Sequence, residues 1–298
     1  MRQLYRLAAG GCADLVSRVP AIERPFVALG PYVWSLPGVG RLYRGVAERA
    51  ADRLHRSDCR FRQVSICGVS LNFDVTEFTT RSLFFGRALY EPATTACLFD
   101  RLTPGRVFVD IGANHGYFTT LAAALVGEGG RVLAFEPNPA VFVQLEHHIE
   151  LNGFQSHVVC EPVALADRPA AGVTLYVSQV DGNSGLSSLT PTRALLDSAG
   201  LSIDQTIAVQ VDTFDRYQKA IGLEYVDLVK IDVERSEHQV VAGMSNALAR
   251  NMIGAIICET TWDSLAHQLL CQAGFEPRIL ERAGPLANIL YVKSCRTP

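Results

Sequence analysis

The chain has 298 residues, 48% of them hydrophobic and 19% charged, with a formal net charge of −3. That is the make-up of a globular protein with a sizeable core, and its slight acidity offers nothing for bulk nucleic-acid binding. Eight cysteines, at 12, 59, 67, 97, 160, 258, 271 and 295, form no C-x-x-C and no cluster, so a disulfide framework is not indicated and a reducing compartment is.

No run of 18 apolar residues offers a membrane span. The N-terminus lacks the compact apolar region and cleavage site of a signal peptide, so the expected location is cytoplasmic. Charge is unevenly spread: residues 1–62 hold 11 Arg against 5 acidic side chains, net +6, which leaves −9 for the remainder. The expected domain division is a helical arm or cap at 1–60 followed by a catalytic domain at 61–298. Prolines 20, 25, 31 and 37 break the arm into segments, with the best helix at 41–56. Three roles fit such an arm: a cap on the catalytic domain, a docking surface for an acidic partner or a second copy, and a membrane-surface element. Its weak amphipathicity disfavours the last.

Alternation over 61–73 predicts a short hairpin, and 76–100 reads as helix up to the turn Thr103-Pro104-Gly105. The stretch RVFVDIGANHGYF at 106–118 then organises the chain: a buried strand at 107–111, a turn through Gly112, Asn114 and Gly116, and a helix from Tyr117. Small residues in the turn let a backbone pass close to a ligand. Asp110, at the strand end, places a carboxylate where a dinucleotide fold would receive a pyrophosphate, and so favours a cationic ligand. A second strand at 132–135 ends in Glu136, positioned to accept both hydroxyls of a ribose. Asp110, the G-x-N-x-G turn and Glu136 together point to S-adenosylmethionine.

A helix bracketed by Pro137 and Pro139 runs to Asn152-Gly153, and 157–165 reads as a third strand. Asp167 at its exit either accepts a hydrogen bond from an adenine amino group or starts the turn Asp167-Arg168-Pro169. A strand at 172–178 leads into a polar loop at 181–188, which is long enough before the strand at 206–214 to shape a substrate pocket. After a helix at 214–221 comes VDLVKIDVERSE, residues 226–237. Its strand is apolar on both faces except for Lys230, and Asp232 and Glu234 stand at its C-terminal end. Glu237 either joins these carboxylates or serves the N-terminus of a helix over 236–250. So many carboxylates at one strand mouth need a compensating cation, be it Lys230, a sulfonium or a metal, or protonation of one of them. A strand at 255–258 ends in Glu259, a helix at 264–273 stops at Gly274, and strands at 275–280 and 288–294 close the chain. The order predicts an α/β fold: a doubly wound, mostly parallel seven-stranded sheet with one antiparallel strand.

DIGANHGYF, AFEPNP, the Asn152-Gly153 stop and KIDVE followed by Glu237 resemble the FkbM-type family of S-adenosylmethionine-dependent methyltransferases, from about Tyr90 to about Glu259. The resemblance implies a class I methyltransferase fold and O-methylation of a hydroxyl on a sugar or natural product. It puts Asp110, Gly112, Asn114 and Gly116 at the methionine end of the cofactor and Glu136 at the ribose. One departure stands out: the family reads KIDVEG followed by a small residue, whereas Arg235 and Ser236 follow Glu234 here.

Methyl transfer to an alcohol is an in-line displacement that also needs a base for the hydroxyl proton. Asp232, Glu234 and Glu259 are the candidates, with His238 and His115 behind them. Plain acid/base work is preferred to a variant in which Asp232 and Glu259 hold Mg²⁺. The acidic catalytic half argues against a nucleic-acid substrate. The rival reading is a cofactor-binding or docking protein on the same fold with little or no catalysis, kept open by Arg235.

Overall fold

The computed structural model describes residues 12–54, 60–87, 89–177, 187–189 and 206–293. They fall into two compact units. The first holds the described residues of 12–66 and 70–92; the second holds 67–69 and the described residues from 93 onward, with 187–189.

In the first unit, helical residues 12–18 precede α1 (Pro20–Val33) and α2 (Val39–Leu54). A hairpin of β1 (Phe61–Ile66) and β2 (Val69–Asp74) and a helix α3 (Phe78–Gly86) follow. Pro25 and Pro31 lie inside α1 instead of breaking it. Helix α2 turns Tyr43, Val46, Ala47, Ala50 and Leu54 inward. The Tyr43 ring stacks on Phe26 at 4.2 Å, and its hydroxyl lies 2.8 Å from the carbonyl oxygens of Phe26 and Phe85. Phe85, fully buried, thereby ties α3 to the arm, and the first compact unit continues past residue 60 through Ser70–Pro92. The helix expected over 76–100 is two helices, because Arg87 takes a left-handed conformation that ends α3 and Pro92 starts the next, α4 (Pro92–Arg101).

The second unit is built on a seven-stranded sheet. In chain order its strands are β3 (Val107–Ile111), β4 (Arg131–Phe135), β5 (Val158–Glu161), β9 (Val226–Ile231), β10 (Ile253–Thr260), β11 (Phe275–Ala283) and β12 (Leu286–Lys293). In space they run β11-β12-β10-β9-β3-β4-β5, and β12 alone is antiparallel to its neighbours. Central strands read as continuous apolar runs because both faces are covered: Val109, Ile111, Leu133, Phe135, Val229, Ile231 and Ile256 are all essentially inaccessible. Each such side chain contributes roughly 1.5–3 kcal/mol by leaving water. Helices α5 (Tyr117–Val126) and α6 (Pro139–Leu151) provide the crossovers from β3 to β4 and from β4 to β5.

Two departures from the expected elements bear on the site. The strand expected over 157–165 breaks at Pro162, which has no N–H for a ladder; beyond it β6 (Val163–Leu165) leaves the large sheet. It joins β8 (Thr206–Asp212) and β7 (Ala170–Tyr176) in a separate sheet of order β6-β8-β7. The helix α7 (Phe214–Ala220) then leads to β9. The helix expected over 236–250 is likewise two short ones, α8 (Glu237–Ala242) and α9 (Ser245–Ala249). Between them, Gly243 comes so close to β6 that an added Cβ would sit 1.9 Å from the Ala166 carbonyl oxygen. Helix α10 (Leu265–Gln272) packs on α8 and precedes the final hairpin.

Candidate active site

The C-terminal ends of β3, β4 and β9 open into one cleft, which the second sheet walls on one side. Its polar lining comprises Asn114, Glu136, Ser187, Asp232, Glu234 and Ser236, and its apolar lining includes Phe135, Val163, Leu165, Leu175 and Leu189. About 590 Å³ of unfilled space lies within it, open mouth included.

The turn after β3 is held by its own backbone. The N–H groups of Gly112 and Ala113 both donate to the Phe135 carbonyl at 3.0 Å, and the Asp232 N–H donates to the Ile111 carbonyl at 3.0 Å. Gly112, Asn114 and Gly116 all have positive φ, at 83°, 51° and 82°. At Gly112 no side chain fits, since a Cβ would stand 1.9 Å from the Asp232 carbonyl oxygen. Gly112 and Asn114 line the cleft. Gly116 instead caps α5 from beneath, where a Cβ would meet the Leu145 side chain at 2.5 Å.

Glu136 is 8% exposed and gripped at both oxygens. Its Oε2 accepts the N–H of Asn114 at 2.9 Å and its Oε1 that of Asn138 at 2.8 Å. Burial pushes its carboxyl up to about 7, against the two N–H donors, which pull it down. The backbone of one strand's turn thus fixes the acidic end of the next, which lines the cleft.

Asp110 does not line the cleft. It lies wholly buried below it, where its Oδ2 accepts the Thr119 hydroxyl at 2.6 Å and its Oδ1 has no hydrogen-bond partner. Asp110 pairs in register with Lys230 on β9, and the alternation of a strand sends both side chains to the same face. Burial raises the Asp110 carboxyl, with Lys230 opposing the rise. Lys230, 2% exposed, sits 4.7 Å over the Phe118 ring and donates to Asp232 Oδ2 at 2.7 Å. The carboxylate expected to face a ligand directly is therefore a buried counter-charge under the turn.

Asp167 is exposed in a bend beyond β6 and is not among the residues that line the cleft. The apolar edge of β6, Val163 to Leu165, occupies the cleft wall in its place. Glu259, at the end of β10, is half-buried and lines no part of the cleft. Asp232 and Glu234 do line it. Glu234 has φ 52° and Arg235 φ 80°, two successive left-handed residues that turn the chain sharply out of β9. Burial, then Asp232, then Glu237 push the Glu234 carboxyl up to about 8, while Arg235 and Lys230 counter them. The Glu237 carboxyl, also raised by burial, accepts the Arg235 N–H at 2.9 Å.

Sequence reasoning missed the second-sheet wall, Leu175 and Leu189, and the two serines on the loop side. Most of the loop at 181–188 lies outside the described residues; Ser187 lies 3.4 Å from Asn138, and the Ser188 hydroxyl donates to the Glu234 carbonyl at 2.6 Å. The polar character of that loop was the available signal. Among the described residues no group of three or more His, Cys, Asp and Glu side chains is arranged to hold a metal, and no helix is long and apolar enough to cross a membrane.

An open α/β sheet of this strand order, its ligand cleft at the carboxyl ends of the central strands and its last strand antiparallel, is the class I methyltransferase architecture. Residues 110–277 match the model of the Methyltransferase FkbM domain, and the chain belongs to that family of methyltransferases. It is 29% identical over 198 residues to the 31-O-demethyl-FK506 methyltransferase FkbM of Streptomyces tacrolimicus, covering 59% of this chain and 72% of that one. With Methyltransferase 1 of Beauveria bassiana it shares 30% identity over 184 residues, 56% of this chain and 71% of the relative. The 2-O-methyltransferase NoeI of Sinorhizobium fredii is 26% identical over 152 residues, 49% of this chain and 60% of the relative.

Proposed function

We propose that the protein transfers a methyl group from S-adenosylmethionine to a hydroxyl of a small molecule, a sugar or another natural product, with Glu234 receiving the hydroxyl proton. The observation that carries this reading is the juxtaposition, in one cleft, of a carboxylate locked by two backbone N–H groups, Glu136, and a second carboxylate free of such ties, Glu234. Two relatives whose names specify O-methylation support the choice of oxygen as acceptor.

The cleft suits the donor chemically. A ribose diol presents two hydroxyl donors to the Glu136 oxygens, and the apolar wall of Phe135, Val163, Leu165 and Leu189 suits a purine face. Asn114 and the backbone of the Gly112 turn would border the amino-acid end, over the Asp110–Lys230–Asp232 charge group. When bound, the donor supplies an electrophilic methyl on a sulfonium.

The chain's own work is alignment and proton management. Gly112 and Gly116 fix the turn, Lys230 anchors Asp232 at the β9 mouth, and the two left-handed residues after β9 aim Glu234 into the cleft. Among the described residues no hydrogen bond ties the Glu234 carboxylate, so it is available to accept the acceptor's proton as the C–O bond forms and the C–S bond breaks.

Calorimetric titration with S-adenosylmethionine, beside NAD and beside a Glu136→Ala variant shown to be folded, tests the donor. Saturable binding of the sulfonium alone, lost in the variant, is the expected result. Absence of binding by folded wild-type protein would overturn the reading.

A further inference from the structure

The turn that aims Glu234 into the cleft aims the next side chain elsewhere. Arg235 lines a second cavity, together with Glu237, His238, Thr261, Ser264 and Leu265, that encloses about 400 Å³ counted to its open mouth. Glu234 and Ser236 line the first cleft and Arg235 and Glu237 the second, so both spaces share the β9–α8 turn as their common wall. An acceptor lying across that turn would bring a hydroxyl to Glu234 and the rest of its body beside Arg235.

Arg235 brings a cation to this second cavity. Arg235 is exposed, and among the described residues its guanidinium has no ion-pair partner within 4.0 Å. Glu237, the one carboxylate in the lining, is 8% exposed and accepts the Arg235 backbone N–H at 2.9 Å, so it is committed to holding the turn. Of the three hydroxyls in the lining, Thr260 donates to Ser264 at 2.7 Å, Ser264 also accepts the His267 N–H at 3.0 Å, and Thr261 is hydrogen-bonded to the Asp263 carboxylate. Arg235 thus lines the cavity with no carboxylate paired to its guanidinium among the described residues, while Glu234 on the same turn feels its charge. Trp262, directly after the lining Thr261, is 54% exposed and its ring centroid lies 4.7 Å from that of His267. A left-handed φ of 80° at a residue with a long side chain is retained against its conformational cost.

We propose that the second cavity is the acceptor subsite and that Arg235 selects hydroxylated acceptors carrying an acidic group, carboxylate or phosphate. This rests on the methyltransferase reading above. A planar guanidinium pairs with either oxyanion through two parallel N–H donors, which a neutral acceptor cannot exploit.

Binding is measured on the full chain saturated with S-adenosylhomocysteine, by saturation-transfer NMR and calorimetry. The probes are D-glucuronate and D-glucose 6-phosphate against D-glucose, and 3-hydroxybenzoate against 3-hydroxybenzamide. The two sugar acids separate carboxylate from phosphate, and the aryl pair separates the acid from the sugar ring. At least one acid is expected to bind about tenfold more tightly than its neutral counterpart. Arg235→Lys should keep part of that preference and Arg235→Gly should abolish it. The glycine variant is free of the left-handed penalty, so its loss of preference cannot be charged to misfolding. The proposal is overturned by equal binding of acid and neutral probes, by a preference that survives in Arg235→Gly, or by failure of every acid to bind at millimolar concentration. Binding of S-adenosylhomocysteine in the same samples keeps the two levels apart. Cofactor without acid preference sinks this inference alone, and no cofactor binding sinks the methyltransferase reading beneath it.

Discussion

Replacing Glu136 by Gln alters two opposing terms whose balance depends on pH. The carboxylate accepts two backbone N–H groups, from Asn114 and Asn138. An amide has one oxygen, so one of those donors loses its partner in a buried site, at a cost of about 1–3 kcal/mol. Against this, burial raises the Glu136 carboxyl from 4.5 to about 7. The folded state therefore holds the proton more tightly than the unfolded chain does. The stability from this group is complete below 4.5 and is lost as pH rises through 7, amounting to about 3 kcal/mol. Gln carries no such loss. Urea unfolding from pH 5 to pH 8 should find the variant about 1–3 kcal/mol less stable than wild type at the acid end. The gap should close, at roughly 1.4 kcal/mol per pH unit, until the two converge or cross near pH 7. Other titrating groups are common to both proteins and cancel in the difference. Parallel stability–pH curves for wild type and variant would refute the reasoning, because they would mean that Glu136 is ionised at no cost.

Three other outcomes are expected. If Glu234 is the proton acceptor, kcat/KM should rise roughly tenfold per pH unit up to about 8 and then level, and Glu234→Gln should lose roughly 10²–10⁴ of the rate together with that slope; a slope that persists in the variant moves the base elsewhere. Gly112→Ala, with φ 83° and its Cβ 1.9 Å from the Asp232 carbonyl oxygen, should cost about 2–5 kcal/mol in urea unfolding, whereas Gly153→Ala, with φ 72° and open space around it, should cost only about 1–2. Chelator should leave methyl transfer unchanged, because Asp232 is engaged by Lys230 and Glu259 stands away from the cleft; a loss reversed by Mg²⁺ would show that these two carboxylates rearrange around a metal.

What could be read from the sequence was local. The run from 107 to 118 carries strand, turn and helix signals in one window, and Asn114 and Glu136 lie where that window and its successor put them. The doubly wound sheet followed from the alternation of such windows. The direction of Asp110 was less plain, because a strand end has two faces. Its register partner on β9 is Lys230, the one basic residue of that strand, and two polar residues in apolar strands that come opposite each other were a usable signal for a buried pair. Asp167 and the β6 wall were out of reach for a different reason. Pro162 diverts the chain into a second sheet, and where that sheet comes to rest is decided by packing such as Gly243 against Ala166, about which no local pattern speaks.

The acidic strand mouths pose a single electrostatic problem, and its solution supports the proposed roles. Asp110, Asp232, Glu234 and Glu237 crowd around Lys230, the one buried cation among the described residues. Asp110 takes the Thr119 hydroxyl and the field of Lys230; Asp232 takes the ammonium itself; Glu237 takes the Arg235 N–H. Each is thereby committed to structure, since loosening any one returns a buried charge to the group without compensation. Glu234 is left with repulsion from two neighbours, a raised proton affinity and an open path into the cleft. A carboxylate that receives a proton during reaction has to be of this kind: one bound tightly by donors is too weak a base, and one exposed to water is no stronger than in solution. The same turn that isolates Glu234 presents Arg235 on its other side, so the proposed base and the proposed selector of the acceptor are both set by one pair of left-handed residues.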